Sequence, residues 1–379
     1  MFYFFSILED SISWFRLFEY ITVRTLGAST FSFIVMLIIS PYIIKILQNL
    51  RYTETEADVR LNQDEKISKI STPTMGGIII IITTSISTLL WANINSTYVL
   101  LTLGTLIIMG IIGFIDDYQK IKKCNGLSIK KKFLLQLIWS IIFFFVLWNN
   151  PETQDRLRDL MVPFSKYPLL DLGLLGSLIF LILIIVGASN AVNLTDGLDG
   201  LAIGCTNSVI GCYLILAYVA GHYSFASYLQ VPFVQGSGEL VVFCGALLGS
   251  GLGFLWFNRN PAEIFMGDTG SLALGGAIAS IAILIKQELL LIIVGGVFVF
   301  EALSVILQTG YFKYSRYRYG EGKRLFKCAP IHHHFEQIEK IKAIKNKKDP
   351  RYIENVIVIK FWITGIIMAL IGIATLKIR

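Results

Sequence analysis

Four polar clusters interrupt a mostly apolar chain, and each carries residue types able to act on a phosphate group. Gly113-Phe114-Ile115-Asp116-Asp117 sets two adjacent carboxylates at the end of an apolar run, with Lys120, Lys122 and Lys123 just after. Adjacent carboxylates in low dielectric repel each other, so one keeps its proton or both face a cation. The plain alternative is a solvated helix end with Asp paired to Lys, but a helix C-terminus disfavours acids. Phe265-Met266-Gly267-Asp268-Thr269-Gly270-Ser271 opens a later apolar run. There Asp268, Thr269 or Ser271 can serve simply as the N-cap. Free backbone N–H groups at a helix start also receive phosphate, and a carboxylate beside a phosphate is a natural Mg²⁺ ligand.

The third cluster runs from Asn190 to Gly200, NAVNLTDGLDG, between two apolar runs. A plain turn needs two or three polar residues, so this polar-rich stretch of eleven suits hydrogen bonding to a polar ligand such as a nucleoside. Asp196 and Asp199 share a face if the segment is helical, while the stretch lacks the spacing and terminal Glu of a calcium loop. The fourth is Pro330-Ile331-His332-His333-His334-Phe335-Glu336, inside a long basic stretch. Phosphate binding, metal binding and a solvated turn all remain open for it. Lys69, ahead of Thr72-Pro73-Thr74-Met75-Gly76-Gly77, and Lys130 and Lys132, ahead of another apolar run, are cations that can meet diphosphate; each alone reads as a topogenic charge.

What must position these clusters is a set of membrane spans. The 379 residues are 54% hydrophobic and 16% charged, against about 25% charged in soluble domains. Ten stretches meet the length needed to cross a bilayer: near 23–47, 75–94, 97–115, 133–149, 170–189, 200–220, 239–257, 271–286, 288–311 and 356–376. The loops after the odd-numbered spans hold 23 of the 33 Lys and Arg, which predicts that they are cytoplasmic and that both termini face out. Every polar cluster then falls on one membrane edge, as expected for an enzyme meeting a soluble substrate; a transporter places polar groups near the midplane. Among ionisable residues within the spans, Glu301 is the main one. The net charge of +7 comes mostly from these loops and needs no nucleic-acid partner. Residues 1–22 are expected to lie along the interface, 312–355 to form a long cytoplasmic loop, and the whole of 1–379 to be one membrane-embedded domain. The five cysteines lack C-x-x-C spacing and read as small buried hydrophobes.

TPTMGG, GFIDD, NAVNLTDGLDGL, WFNRNPAEIFMGDTGS and PIHHHFE together resemble the phospho-N-acetylmuramoyl-pentapeptide transferases, within the wider superfamily of polyprenyl-phosphate N-acetylhexosamine-1-phosphate transferases. The resemblance covers about 69–336. It implies an all-α, polytopic integral membrane fold of about ten transmembrane helices, a homodimer, Mg²⁺ dependence and residence in the bacterial inner membrane. The reaction implied joins UDP-N-acetylmuramoyl-pentapeptide to undecaprenyl phosphate, giving lipid I and UMP. Asp116, Asp117 and Asp268 are then the catalytic residues, with Asp268 on Mg²⁺ and Asp116 and Asp117 as further candidate ligands. Asn190, Asn193, Asp196, Asp199 and Asn258 are expected at the substrate, and Lys69, Lys120, Lys132, His332, His333 and His334 at its phosphates. The rivals are an N-acetylglucosamine-1-phosphate transferase of the same superfamily and a membrane transporter.

Overall fold

The computed structural model describes residues 2–3, 13–50, 72–123, 125–154, 156–345 and 352–377. Lys69 lies outside them. The described chain is helical apart from one short hairpin. Its longer helices are α1 (Ile21–Asn49), α2 (Gly77–Trp91), α3 (Thr97–Lys123), α4 (Ile129–Asn149), α5 (Gly173–Thr195), α6 (Leu201–Gly221), α7 (Leu240–Asn258), α8 (Gly267–Leu284), α9 (Gly296–Tyr319), α10 (Ile331–Lys345) and α11 (Ile353–Ala374). Eight of them (α1, α3 to α8 and α11) are long and apolar enough to cross a membrane. α2 has 15 residues, about 22 Å at the helical rise, shorter than a bilayer core. α9 occupies the place of the expected ninth span. The fold is therefore an all-helical, multi-pass membrane protein, and ten helices stand where ten apolar stretches were read.

Lipid-facing and buried surfaces separate as bilayer solvation requires. Ile34, Ile38 and Ile46 of α1, Leu175, Ile179 and Leu183 of α5, and Ile359, Ile363 and Ile367 of α11 are exposed. A face of this composition is stable only against hydrocarbon. α8 is the opposite case: all its residues from Thr269 to Leu284 are buried, and it packs against α3, α5 and α2. Small hydroxyls tie helices together where apolar contact gives no driving force in lipid. Ser32 Oγ donates to Ala246 O at 2.6 Å, and the Thr83 and Ser250 hydroxyls lie 2.8 Å apart.

The two ends of the bundle are chemically distinct. The start of α1, the chain after α2 and the turn before α7 meet at a buried ion pair: Arg24 donates twice to Glu239 at 2.7 Å, and Glu239 also accepts from Asn93 N at 3.0 Å. At the end where α3, α5 and α9 finish and α8 begins lie the acidic and histidine clusters. Three expectations about connections are corrected. The polar stretch after the fifth span is not all loop, because α5 continues to Thr195. Its asparagines hydrogen-bond neighbouring helices, so polarity there reflects partners and not a turn. The ninth span is broken: a short helix, Leu290–Val294, precedes α9, which runs on to Tyr319 and ends on Gly320 at φ 76°, a left-handed helix stop. The segment 312–355 accordingly holds the end of α9 and the whole of α10. An unforeseen hairpin, β1 (Asp159–Leu160) with β2 (Leu170–Asp171), lies between α4 and α5.

Candidate active site

α3 and α8 approach closely enough to merge their polar ends because Gly113 has no side chain. A Cβ there would run into the Asp268 carbonyl and lie 2.6 Å from Thr269 Cα. One turn further along α3, Asp116 and Asp117 are therefore brought to the start of α8. The strand-like segment before α2 fixes that start from the other side: Gly76 N donates to Phe265 O at 2.8 Å, Gly77 N to Met266 O at 2.9 Å and Phe265 N to Pro73 O at 2.9 Å. The TPTMGG stretch thus sets the entry to α8 as well as to α2.

Asp117 caps α8 from a different helix. Its Oδ1 accepts from Asp268 N at 3.1 Å, and its Oδ2 accepts from Thr269 N at 2.9 Å and Thr269 Oγ1 at 2.7 Å. No side chain of α8 or its flank caps the helix, so Asp117 takes the role that Asp268, Thr269 or Ser271 was expected to fill. Asp116 uses Oδ1 to hold the turn before α4, accepting from Leu127 N at 2.6 Å. Its Oδ2 lies 3.0 Å from Lys120 Nζ and 3.6 Å from Lys132 Nζ. Asp268 Oδ2 accepts from Lys132 Nζ at 2.5 Å and lies 3.1 Å from Lys120 Nζ, while its Oδ1 accepts from Asn193 Nδ2 at 2.8 Å. Three carboxylates and two ammonium groups so form one cluster, with one oxygen from each of Asp116, Asp117 and Asp268 within 4.8 Å of the others.

An all-oxygen donor set of this size suits a hard divalent cation. The three carboxylates outnumber the two lysines, leaving net negative charge for a cation to neutralise. The residues present therefore fit a metal. Asp117 gives both oxygens to backbone N–H groups of α8, whereas Asp116 Oδ2 and both oxygens of Asp268 have only side-chain partners, which a cation can displace.

The other expected residues divide sharply. Asn193 also donates to Ser271 Oγ at 3.0 Å and belongs to the cluster. Asn190, one turn earlier, bonds Gln136 Oε1 at 2.9 Å and Val186 O at 2.8 Å, linking α5 to α4. Asp196 ends α5, half-buried. Asp199 accepts from Asn260 Nδ2 and Ala262 N, both at 3.1 Å. Asn258 is buried, accepts from Gly200 N at 3.1 Å and donates to Ile264 O at 2.8 Å. Asp199 and Asn258 thus staple the turn after α5 to the turn after α7.

The histidines sit on the first turn of α10, not in a solvated turn. His332 is fully buried with Nδ1 3.1 Å from Glu301 Oε2. His333 Nδ1 lies 2.9 Å from Glu336 Oε2. Burial pushes the Glu336 carboxyl up, but His333 and Lys340 outweigh it and hold the group down at about 2. His334 turns elsewhere: its Nδ1 accepts from Lys327 N at 3.1 Å, and its ring meets Phe326 edge-on. Gly197 adjoins the Nε2 atoms of His332 and His333. It lies four residues beyond Asn193, so the end of α5 joins the histidines to the acidic cluster.

α10 is placed by a polar stripe that sequence reading missed. Ser315, Gln308 and Glu301 recur every seven residues on one face of α9. Ser315 Oγ accepts from Lys323 N at 2.8 Å, Gln308 Oε1 from Leu325 N and Phe326 N at 3.0 and 2.8 Å, and Glu301 meets His332. The chain leaving α9 is so led back along it. The seven-residue spacing was the available signal; Glu301 stood out only as an isolated charge within a span.

Residues 99–286 match the family described as Glycosyl transferase family 4, a range holding the three aspartates and Asn193. The phospho-N-acetylmuramoyl-pentapeptide-transferase of Desulfotalea psychrophila is 47% identical over 375 residues, 98% of each chain. Its counterparts in Syntrophus aciditrophicus and Desulforapulum autotrophicum are 45% identical over 98% of each chain and 44% identical over the full length of both. Identity of this level from end to end shows that the chain belongs to the phospho-N-acetylmuramoyl-pentapeptide-transferase family.

Proposed function

We propose that this protein transfers phospho-N-acetylmuramoyl-pentapeptide from its UDP carrier to undecaprenyl phosphate, forming lipid I and releasing UMP. The observation that carries the reading is the convergence of Asp116, Asp117 and Asp268 with Lys120, Lys132 and Asn193 at one end of a membrane bundle. Phosphoryl transfer asks a protein mainly for positioning and for neutralisation of charge, and this cluster holds the groups for both.

Asp268 and Asp116 would hold Mg²⁺, which when bound neutralises diphosphate charge and polarises its oxygens. Asp117 acts at one remove by fixing the backbone of Asp268 and Thr269. An oxygen of the lipid phosphate forms a bond to the β-phosphorus, and the bond from that phosphorus to the bridging oxygen breaks, with UMP taking the electron pair. Where the attacking phosphate carries a proton, Asp116 Oδ2 receives it, being the one oxygen of the Asp116–Asp117 pair that holds no backbone N–H and lies against the two lysine ammonium groups. Lys120 and Lys132 bring cations to the same edge. Asn193 orients Asp268, Asp196 and the end of α5 face the uridine side, and Lys69 belongs with the phosphate-binding cations. The clustered end faces the cytoplasm, where the charged substrate is soluble, and the protein works as a homodimer in the bacterial inner membrane.

Supplying purified protein with undecaprenyl phosphate and either UDP-N-acetylmuramoyl-pentapeptide or UDP-N-acetylglucosamine tests the substrate assignment. The muramoyl substrate alone should yield lipid product. Product from UDP-N-acetylglucosamine instead would move the chain to the sister activity.

A further inference from the structure

His332 and His333 present the same edge in the same direction. Their ring centroids lie 4.2 Å apart, and each ring is held at Nδ1 by a carboxylate, Glu301 of α9 for His332 and Glu336, three residues on along α10, for His333. The opposite nitrogens converge on Gly197. A Cβ at that glycine would collide with His332 Nε2 and lie 3.4 Å from His333 Nε2. Gly197 is itself exposed, and its backbone is what lies between His332 Nε2 and the surface, with no side chain filling the space beside that nitrogen.

Two buried atoms here lack partners among the described residues: His332 Nε2 and Glu301 Oε1. Both residues are 0% exposed. Leaving such atoms unpaired is costly in low dielectric. The cost is least if the two side chains share opposite charges and the outward nitrogen gains a partner when the site fills. Glu301 is also bound to the start of α10 itself, its Oε2 lying 3.5 Å from His332 N, so ring and backbone are fixed by one carboxylate.

We infer that Glu301 is a positioning residue that keeps His332 as an imidazolium with Nδ1–H on the carboxylate, presenting Nε2–H over Gly197 to a phosphate oxygen of the diphosphate substrate. The inference rests on the phosphosugar-transfer reading above for its ligand, though not for its ring geometry. A neutral ring bonded through Nδ1–H would turn a lone pair toward the phosphate and repel it. An imidazolium instead offers a charge-assisted donor, and the carboxylate behind it keeps the buried pair neutral overall. Glu336 holds the more open His333 through Nδ1 as well, with Lys340 on its other oxygen at 3.0 Å.

The chain has four histidines, few enough for ring ¹⁵N spectra of histidine-labelled, full-length protein in lipid nanodiscs. At pH 7.5 the ring removed by His332→Gln should show both nitrogens protonated, and Glu301→Gln should strip a proton from that ring alone. Turnover supplies the second reading. Glu301→Gln should lower kcat/KM about ten- to a hundredfold, the range for a carboxylate that orients a working histidine, yet add nothing in the His332→Gln background, because the effect passes through that ring. A wild-type His332 ring with either nitrogen bare, or losses that multiply in the double variant, would overturn the inference. If Glu301→Gln does not fold, the wild-type ring spectrum decides by itself. Wild-type protein that makes no UMP would sink the transferase reading while leaving the spectrum a valid test of the Glu301–His332 pair.

Discussion

Asp116 and Asp117 are neighbours in sequence with separate tasks in the structure, and substitution should divide them. Asp117→Ala leaves Asp268 N, Thr269 N and Thr269 Oγ1 without their acceptor. It should cost about 1–3 kcal/mol of stability, as for unpaired buried donors, along with activity. Asp116→Asn keeps an amide oxygen for Leu127 N and should lower kcat by about 10²–10⁴, the range for a positioned proton acceptor, with a smaller loss of thermal midpoint than Asp117→Ala. Equal midpoints for the two variants would contradict the division. Gly197→Ala puts a methyl group against His332 Nε2 and should cut kcat/KM by about a hundredfold, the scale of a small misplacement in a site. Unaltered kinetics would mean that nothing enters there. Sequence reading found the carboxylates, Asn193 and the histidines because their types are rare in apolar surroundings. It assigned Asn258 and Asp199 to the substrate as well, since a polar residue that staples two turns and one that meets a ligand have the same composition signature.

At the scale of elements, the helices were legible and their ends were not. Apolar length located ten stretches, but α5 runs on through Asn190 and Asn193 because α4 and α8 supply partners for those side chains. No local pattern shows such partners. α10 was equally hidden, its position depending on the Glu301–Gln308–Ser315 stripe of α9. Gln308→Leu removes the acceptor for Leu325 N and Phe326 N. It should free the chain between α9 and α10, raising its rate of limited proteolysis about tenfold, equivalent to roughly 1.4 kcal/mol of local opening, and lowering turnover together. Proteolysis unchanged from wild type would show that other contacts hold that segment.

Across the whole molecule, chemistry is confined to one end and a structural ion pair closes the other. Arg24→Leu would strand Glu239 in a buried site. The loss should be about 3–5 kcal/mol, seen as a lowered unfolding midpoint in detergent, while KM for the UDP substrate is retained in the folded fraction. Charge counting along the sequence expects the polar clusters on one membrane edge, and the described structure gathers the aspartates and His332 and His333 at one end of the bundle. The central claim is that the cluster of Asp116, Asp117 and Asp268 works as a metal-dependent phosphosugar transferase centre. Its most direct test is UMP release by the purified protein given UDP-N-acetylmuramoyl-pentapeptide and undecaprenyl phosphate, first with Mg²⁺ and then with EDTA, beside an Asp268→Asn variant. UMP should form only with both substrates and Mg²⁺ present, and the variant should lose at least about 10²-fold in kcat. UMP release that survives EDTA, or an Asp268→Asn variant with full metal-dependent activity, would contradict the account.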